Sequence, residues 1–239
     1  MKYLITIVYD GTNFYGFQRL NNKRSVQDEL EKALTKINKK KVEIKGAGRT
    51  DRYVHAYGQC ASFSLDVIIK PKNLIDAINS LLPDDLRVTK CITVPEDFHA
   101  RFNALQKEYI YKINDGKYDP LKRNYYYHVN NKLDVKKLKK CAKIFIGIHD
   151  FSNFVSGTRE NSEAIIYDIK IKRIDDTIEI TFIGKSFYRY MVRNLVGAML
   201  LFERDKITLD ELKEVLDNKV ERKLNCAPAN GLYLMKIYY

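Results

Sequence analysis

The spacing of apolar positions divides the chain into alternating strands and helices. Lys2 to Tyr9 is β-branched and aromatic and stops at Asp10-Gly11, which predicts a strand and a turn. Ser25 stands as a helix N-cap, with Asp28 as a weak version of a capping box. Val26, Leu30, Ala33, Leu34 and Ile37 then form one stripe at helical spacing. Val42 to Lys45 predicts a short strand entering a glycine stretch. Gln59 to Leu65 predicts another, with Ala61, Phe63 and Leu65 alternating. Leu74, Ile75, Ile78, Leu81 and Leu82 predict a helix ending before Pro83, and Leu86 to Val94 a further strand. The order is β-α-β-β-α-β, the ferredoxin-like or split β-α-β pattern.

The second half repeats the theme. Tyr109 to Ile113 predicts a strand and Asp134 to Phe145 a helix. Ile165 to Ile174 and Thr177 to Ile183 predict a hairpin around Asp175-Asp176. Ser186 opens a long apolar stretch that predicts a helix to about Phe202, which would put Arg189 and Arg193 on one face. Thr208 and Glu211 box a shorter helix, and Gly231 to Tyr238 closes the chain as a strand. The expected fold is α+β, two ferredoxin-like halves with a catalytic cleft between them. The expected domains are 1–97, carrying the glycine stretch, and 98–239.

Composition narrows the class of partner. Lys and Arg number 42 against 30 Asp and Glu, a formal net charge of +12 on 239 residues. Such an excess favours a polyanion, chiefly nucleic acid. The 17 tyrosines are read mainly as strand packing, although tyrosine among lysines also stacks on bases. The segment Lys122 to His128, KRNYYYH, mixes cations and rings most densely and is weighed equally as an RNA contact and as surface. The lysine runs 39–41 and 136–140 are read as solvated faces. Four scattered cysteines, with no CxxC pair, are expected to be reduced thiols in a cytoplasmic protein. The opening MKYLITIVYDG is too short and too alternating for a signal peptide, and no later stretch approaches a membrane span.

The densest chemistry is GAGRTDRYVHAYGQ, Gly46 to Gln59. Gly46 and Gly48 allow a positive φ or a close backbone approach. The stretch is neither a dinucleotide fingerprint nor a phosphate loop, because the third glycine and the Gly-Lys-Ser/Thr ending are missing. What remains is Arg49, Thr50, Asp51 and His55. A carboxylate beside an arginine stays ionised, and it serves as nucleophile, base or ion-pair partner. On chemistry alone the structural ion pair is the commoner outcome. Asp51 has no acidic neighbour for two-metal work, and His99, His128 and His149 lack a second histidine at ligand spacing.

Several motifs in register change that weighting. GAGRTD..VHA (Gly46 to Ala56) resembles the catalytic loop of the tRNA pseudouridine synthase A family. DFHARFNALQKEYIYKI (Asp97 to Ile113) and SFYRYMVRNLVGAML (Ser186 to Leu200) resemble its second and third motifs. YDGTNFYGFQR, HDFSNF and APANGLYL also fit, so the resemblance covers nearly the whole chain. It implies isomerisation of uridine to pseudouridine in tRNA, at positions 38–40 of the anticodon arm, by a homodimer without cofactor or metal. Asp51 would be the catalytic aspartate, with Arg49 beside it. Tyr109 would meet the base, and Arg193 would pair with Asp51. Around this set Arg52, Tyr53, Arg101, Lys107 and Arg189 are the expected RNA contacts, with Arg189 outside the motif positions and equally readable as surface.

The chain departs from the family in two places. Arg52-Tyr53 stands where the family commonly has Ala-Gly, and Phe17 where tryptophan is common. These departures keep a second reading open, the same chemistry on ribosomal RNA. A third reading, a non-catalytic RNA-binding module, does not require Asp51, Tyr109 and Arg193 together.

Overall fold

The computed structural model describes residues 1–157, 161–222 and 224–239. They form two compact units, Met1–Leu105 with Tyr233–Tyr239, and Gln106–Leu232.

The first unit holds β1 (Lys2–Tyr9), α1 (Val26–Asn38), β2 (Lys45–Gly46), β3 (His55–Ser64), α2 (Pro71–Asn79) and β4 (Leu86–Thr93). β1 lies antiparallel between β3 and β4, and β2 pairs antiparallel with β3. The order β4-β1-β3-β2 is that of a split β-α-β unit. α1 starts where Ser25 Oγ accepts from the Asp28 N–H at 3.3 Å; the first-turn carboxylates Asp28 and Glu29 suit the positive end of the helix dipole. α2 opens on Pro71, whose missing N–H costs nothing at that position. Leu30, Leu34, Leu74 and Ile78 from the two helices, and Ile5 and Ile7 from β1, are fully buried.

The sequence places strand Val42–Lys45 too early and too long. Only Lys45–Gly46 pairs, because the Val42 and Ile44 N–H groups are taken by Thr35 Oγ1 and Glu31 Oε1 of α1. β3 in turn begins at His55, four residues before the expected Gln59.

The second unit holds β5 (Gln106–Asn114), β6 (Tyr127–His128), α3 (Val135–Ala142), β7 (Gly147–Asp150), β8 (Glu163–Ile174), β9 (Thr177–Gly184), α4 (Met191–Glu203) and α5 (Leu209–Leu216). The strand order is β5-β9-β8-β7, antiparallel throughout, with β6 parallel to β5. The β8–β9 hairpin turns at Asp175-Asp176 as expected. α5 carries the full capping box, with Glu211 Oε2 accepting from the Thr208 N–H and Thr208 Oγ1 from the Glu211 N–H. The helix expected from Ser186 starts only at Met191. Tyr190 sits at φ 65°, a left-handed residue that no α-helix contains, so Arg189 lies before α4 and does not share a helix face with Arg193.

The last strand, β10 (Leu232–Tyr238), belongs to the first unit from Tyr233 onward. It runs parallel to β3, with Tyr233 opposite His55 and Leu234 opposite Ala56. Gly58 makes this approach possible, since a Cβ there would stand 2.3 Å from the Met235 carbonyl oxygen. The segment after β4 also stays with this unit. Ala100 N–H donates to Ser62 Oγ, and the Leu105 N–H donates to the Tyr238 carbonyl.

Candidate active site

In the first unit the site residues sit on the loop between β2 and β3. This loop is fixed through its backbone and its threonine. The Ala47 N–H donates to the Cys60 carbonyl at 2.8 Å, and Gln59 Nε2 donates to the Gly48 carbonyl at 3.1 Å. Thr50 Oγ1 and the Tyr9 hydroxyl share a buried hydrogen bond of 2.7 Å. Burial raises the Tyr9 phenol well above its ordinary range, so it stays protonated. The Phe17 N–H donates to the Thr50 carbonyl, and the Val54 N–H to the Asp51 carbonyl.

Glycines let a second strand of chain press on this loop. Gly16, at φ +92°, lies so close that a Cβ would stand 2.6 Å from the Thr50 carbonyl oxygen. A Cβ on Gly11 would stand 2.2 Å from the Val54 carbonyl oxygen. Gly46 meets the Phe17 ring in the same way. The positive φ inside the loop falls on Tyr53, at 68°, rather than on a glycine. The contacts with Gly11 and Gly16 are invisible to a local reading, because those residues lie far from the loop in sequence.

Asp51 is half-buried on this support. Arg49 is exposed and donates from Nη1 to Gln18 Oε1 at 2.9 Å, so its hydrogen bond goes to an amide and not to a carboxylate. His55 is buried for structural reasons. Its Nδ1 accepts from the Gly11 N–H at 3.1 Å, and its ring stacks on Tyr233 at 4.7 Å. Arg52 and Tyr53 are exposed; the Arg52 guanidinium lies 4.4 Å from both the Tyr53 and the Tyr15 ring centroids. Arg101 is exposed beside Phe102, which is 76% exposed.

In the second unit, Tyr109 on β5 is buried and meets the Phe187 ring edge-on at 5.3 Å. Phe187 comes from the non-helical stretch before α4. Arg193, in the first turn of α4, donates from Nε to the Ala227 carbonyl at 2.7 Å, while the Ala227 N–H donates to the Arg193 carbonyl at 3.1 Å. That double contact is packed in by Gly197, one turn on, where a Cβ would collide with the Asn225 carbonyl oxygen. The Tyr190 ring lies 4.9 Å from both the Arg189 and the Arg193 guanidinium, so the two arginines do meet, through an aromatic ring. Lys107 is buried, whereas Arg189 is exposed.

The segment Lys122 to His128 ends in β6, which pairs with Ile113 and Asn114 of β5. Lys122 and Tyr126 line an open cavity of about 590 Å³ with Lys117, Tyr118, Asp176 and Glu179. Among the described residues no three His, Cys, Asp or Glu side chains cluster as metal ligands. All four cysteines are free, and burial pushes the Cys91 thiol up to about 11 and the Cys141 thiol up to about 12.

An α+β chain with a large cationic excess suits a class of proteins that act on a polyanion. The chain belongs to the tRNA pseudouridine synthase family, whose model matches residues 5–103 and 141–239. It is 41% identical over 243 residues to a protein of Borrelia turicatae named tRNA pseudouridine synthase A, covering 100% of this chain and 99% of that one. Proteins of the same name from Finegoldia magna (41% identity, 98% of each chain) and Thermoanaerobacter sp. strain X514 (39%, 99% of this chain and 98% of that one) are similar over the same extent. Among solved structures, a Cbf5-Nop10-Gar1 complex matches at a TM-score of 0.36 and 12% identity, over 92% of this chain and 68% of that one.

Proposed function

We propose that this protein isomerises uridine to pseudouridine in the anticodon stem-loop of tRNA, at positions 38–40, with Asp51 as the catalytic carboxylate. Full-length similarity to curated tRNA pseudouridine synthases carries the reading of an isomerase acting on tRNA. The +12 charge and the rigid backing of the Asp51 loop support it from the chain's own residues.

The reaction is balanced within one nucleoside. The bond from the ribose C1′ to the base N1 breaks, the base turns, and C1′ bonds to C5. The proton on C5 leaves and N1 ends protonated, so no external oxidant or reductant enters. Asp51 attacks or otherwise assists at the uridine, a role open to a positioned carboxylate. The target base leaves its stack to reach it. Tyr109 contacts the base, Arg193 partners the aspartate, and Arg49 orients the bound RNA. Arg52, Tyr53, Arg101 and Arg189, all exposed, contact the RNA in this reading; Lys107 is the one cation of the expected set that is buried. The protein acts in the cytoplasm as a homodimer. No helix among the described residues is long and apolar enough to cross a membrane.

The test is pseudouridine mapping of unmodified total tRNA and ribosomal RNA after incubation with wild type and with Asp51→Asn. New pseudouridine in the anticodon arm, absent with the variant, is the expected result. Modification confined to ribosomal RNA overturns the substrate, and activity retained in Asp51→Asn overturns the role of Asp51.

A further inference from the structure

Arg52 follows the candidate catalytic aspartate directly and is held in an unusual way. Its guanidinium lies 4.4 Å from the centroids of two rings, Tyr15 and Tyr53, and it donates to the Tyr53 hydroxyl. Among the described residues no carboxylate is within ion-pair distance of it. Arg24 and Arg173 differ sharply: each is bonded by two nitrogens to one aspartate, Asp85 and Asp115 respectively. Ring contacts fix the plane of a guanidinium without cancelling its charge. Lys23 adds a second cation 4.8 Å from the Tyr15 ring.

The backbone tells the same story. Tyr53 sits at φ 68°, a region that a bulky L-residue enters only when its surroundings hold it there. Tyr53 is 40% exposed, so the burial of a core does not account for it. What holds it is the turn that the Val54 N–H closes on the Asp51 carbonyl, and the ring it carries lies against Arg52. An exposed ring against a cation that no carboxylate neutralises suits an anionic ligand.

We propose that Tyr15, Arg52 and Tyr53 form a clamp for one phosphodiester of the RNA strand beside the target uridine, with Lys23 extending the positive surface. The inference rests on the proposed function and names a contact within it. The two rings flank the guanidinium and the Tyr53 hydroxyl takes one of its N–H groups, which leaves the remaining N–H donors for the ligand. Edge N–H donors match the paired oxygens of a phosphate. Because Arg52 is the residue after Asp51, a strand that delivers its uridine to Asp51 carries a neighbouring phosphate past this stack. The rigid rings spare the RNA the cost of ordering a long side chain on binding.

The experiment uses the full-length protein with wild type, Arg52→Ala, Arg52→Lys and Tyr53→Gly. Turnover is measured on an unmodified tRNA transcript, and affinity for that transcript in an Asp51→Asn background across a salt series. Arg52→Ala is expected to raise KM about tenfold with kcat within about twofold, as for one charge-assisted hydrogen-bond set. It should also flatten the salt dependence by about 0.7–0.9 of a log–log unit, the release of roughly one counterion. Tyr53→Gly is expected to raise KM roughly threefold with the salt slope unchanged, since the charge remains but its plane is freed. Its melting temperature should not fall, because glycine accepts the positive φ. Arg52→Lys should keep the slope and still bind more weakly than wild type.

Wild-type KM and salt slope in Arg52→Ala overturn the clamp. So does a loss confined to kcat, which would make Arg52 a support for Asp51 and not a phosphate ligand. If wild type makes no pseudouridine at all, the proposed function fails by that observation, while the salt series still decides for or against the clamp.

Discussion

Asp51 and Asp115, one in each unit, show two ways of mounting a carboxyl group in a fold. Asp115 has a fully buried side chain. It accepts from Arg173 at 2.8 and 2.7 Å, from the Leu133 N–H at 3.0 Å and from Lys132 at 3.4 Å. Burial alone would raise its pKa; the Arg173, Leu133 and Lys132 donors together outweigh burial and hold it below the ordinary carboxylate range. Asp51 is only half-buried, and its neighbourhood is secured through the main chain and the Tyr9–Thr50 pair. One carboxylate ties β5 to β8, because its own oxygens are the tie. The other rides on a loop that backbone contacts and the Tyr9–Thr50 bond hold. A buried structural ion pair stands at Asp115, a position that no motif marks.

The comparison breaks most visibly in activity. Asp51→Asn is expected to cut isomerisation by more than about a thousandfold, the scale of losing a group that acts in the reaction itself. Its stability should move by less than about 0.5 kcal/mol, as for a substitution that leaves the supporting contacts alone. Single-turnover assays and urea melts on one preparation read both. A large loss of stability would make Asp51 a structural residue like its counterpart.

Asp115→Asn is expected to do the reverse. Removing one member of a buried pair costs about 3 kcal/mol, the lower part of the usual range because Arg173 is partly exposed. Isomerisation per folded molecule should be unchanged. The pH dependence sharpens the point. A carboxylate whose folded pKa is depressed contributes stability that is fully present above its unfolded value, about 3.9. That contribution is lost as pH falls through the folded value. Wild type should therefore lose stability on acidification below about pH 4 more steeply than Asp115→Asn. Parallel acid limbs in the two proteins would show that Asp115 does not carry this linkage.

Gly16→Ala probes the other kind of support. A methyl group there meets the Thr50 carbonyl oxygen at 2.6 Å, at a φ of +92° that alanine resists. The cost is about 2 kcal/mol, and the Thr50–Asp51 backbone must give way. Activity should fall at least tenfold in the protein that remains folded, since small misplacements of a reacting group are expensive. Full activity at reduced stability would show that the loop tolerates movement, and the contrast with Asp115 would lose its basis.

How much of this was legible in the sequence follows from how local each cause is. β1, the Asp175-Asp176 hairpin and the Thr208–Glu211 capping box were readable because a few adjacent residues determine them. The motifs name Asp51, Tyr109 and Arg193 as candidates but say nothing of their surroundings. The helix before Met191 was misread because Phe187 and Tyr188 continue an apolar run; they leave the helix to reach Tyr109 and the Glu163 carbonyl. Tyr53 and Tyr190 take left-handed conformations that no tyrosine advertises. Arg173 lies 58 residues from Asp115, and Tyr9 lies 41 from Thr50, so neither pairing leaves a mark at its own position.

The smallest effect concerns that last pair. Tyr9→Phe removes a buried hydroxyl and leaves Thr50 Oγ1 without its partner, a cost of about 1 kcal/mol. Thr50→Val takes from the Tyr9 hydroxyl its bond to Thr50 and leaves it the one to Gln59. The double variant removes both groups, so it should be less destabilised than the sum of the two singles. The difference, read by urea melts as a double-mutant cycle, is the coupling between strand β1 and the loop. The same cycle run on kcat separates anchoring from mere stability. If the bond holds Asp51 in register, each single variant lowers kcat severalfold while KM for tRNA stays put. If kcat is untouched in all three variants, the glycine contacts alone position the loop, and Tyr9–Thr50 belongs with Asp115 among the groups that serve the fold.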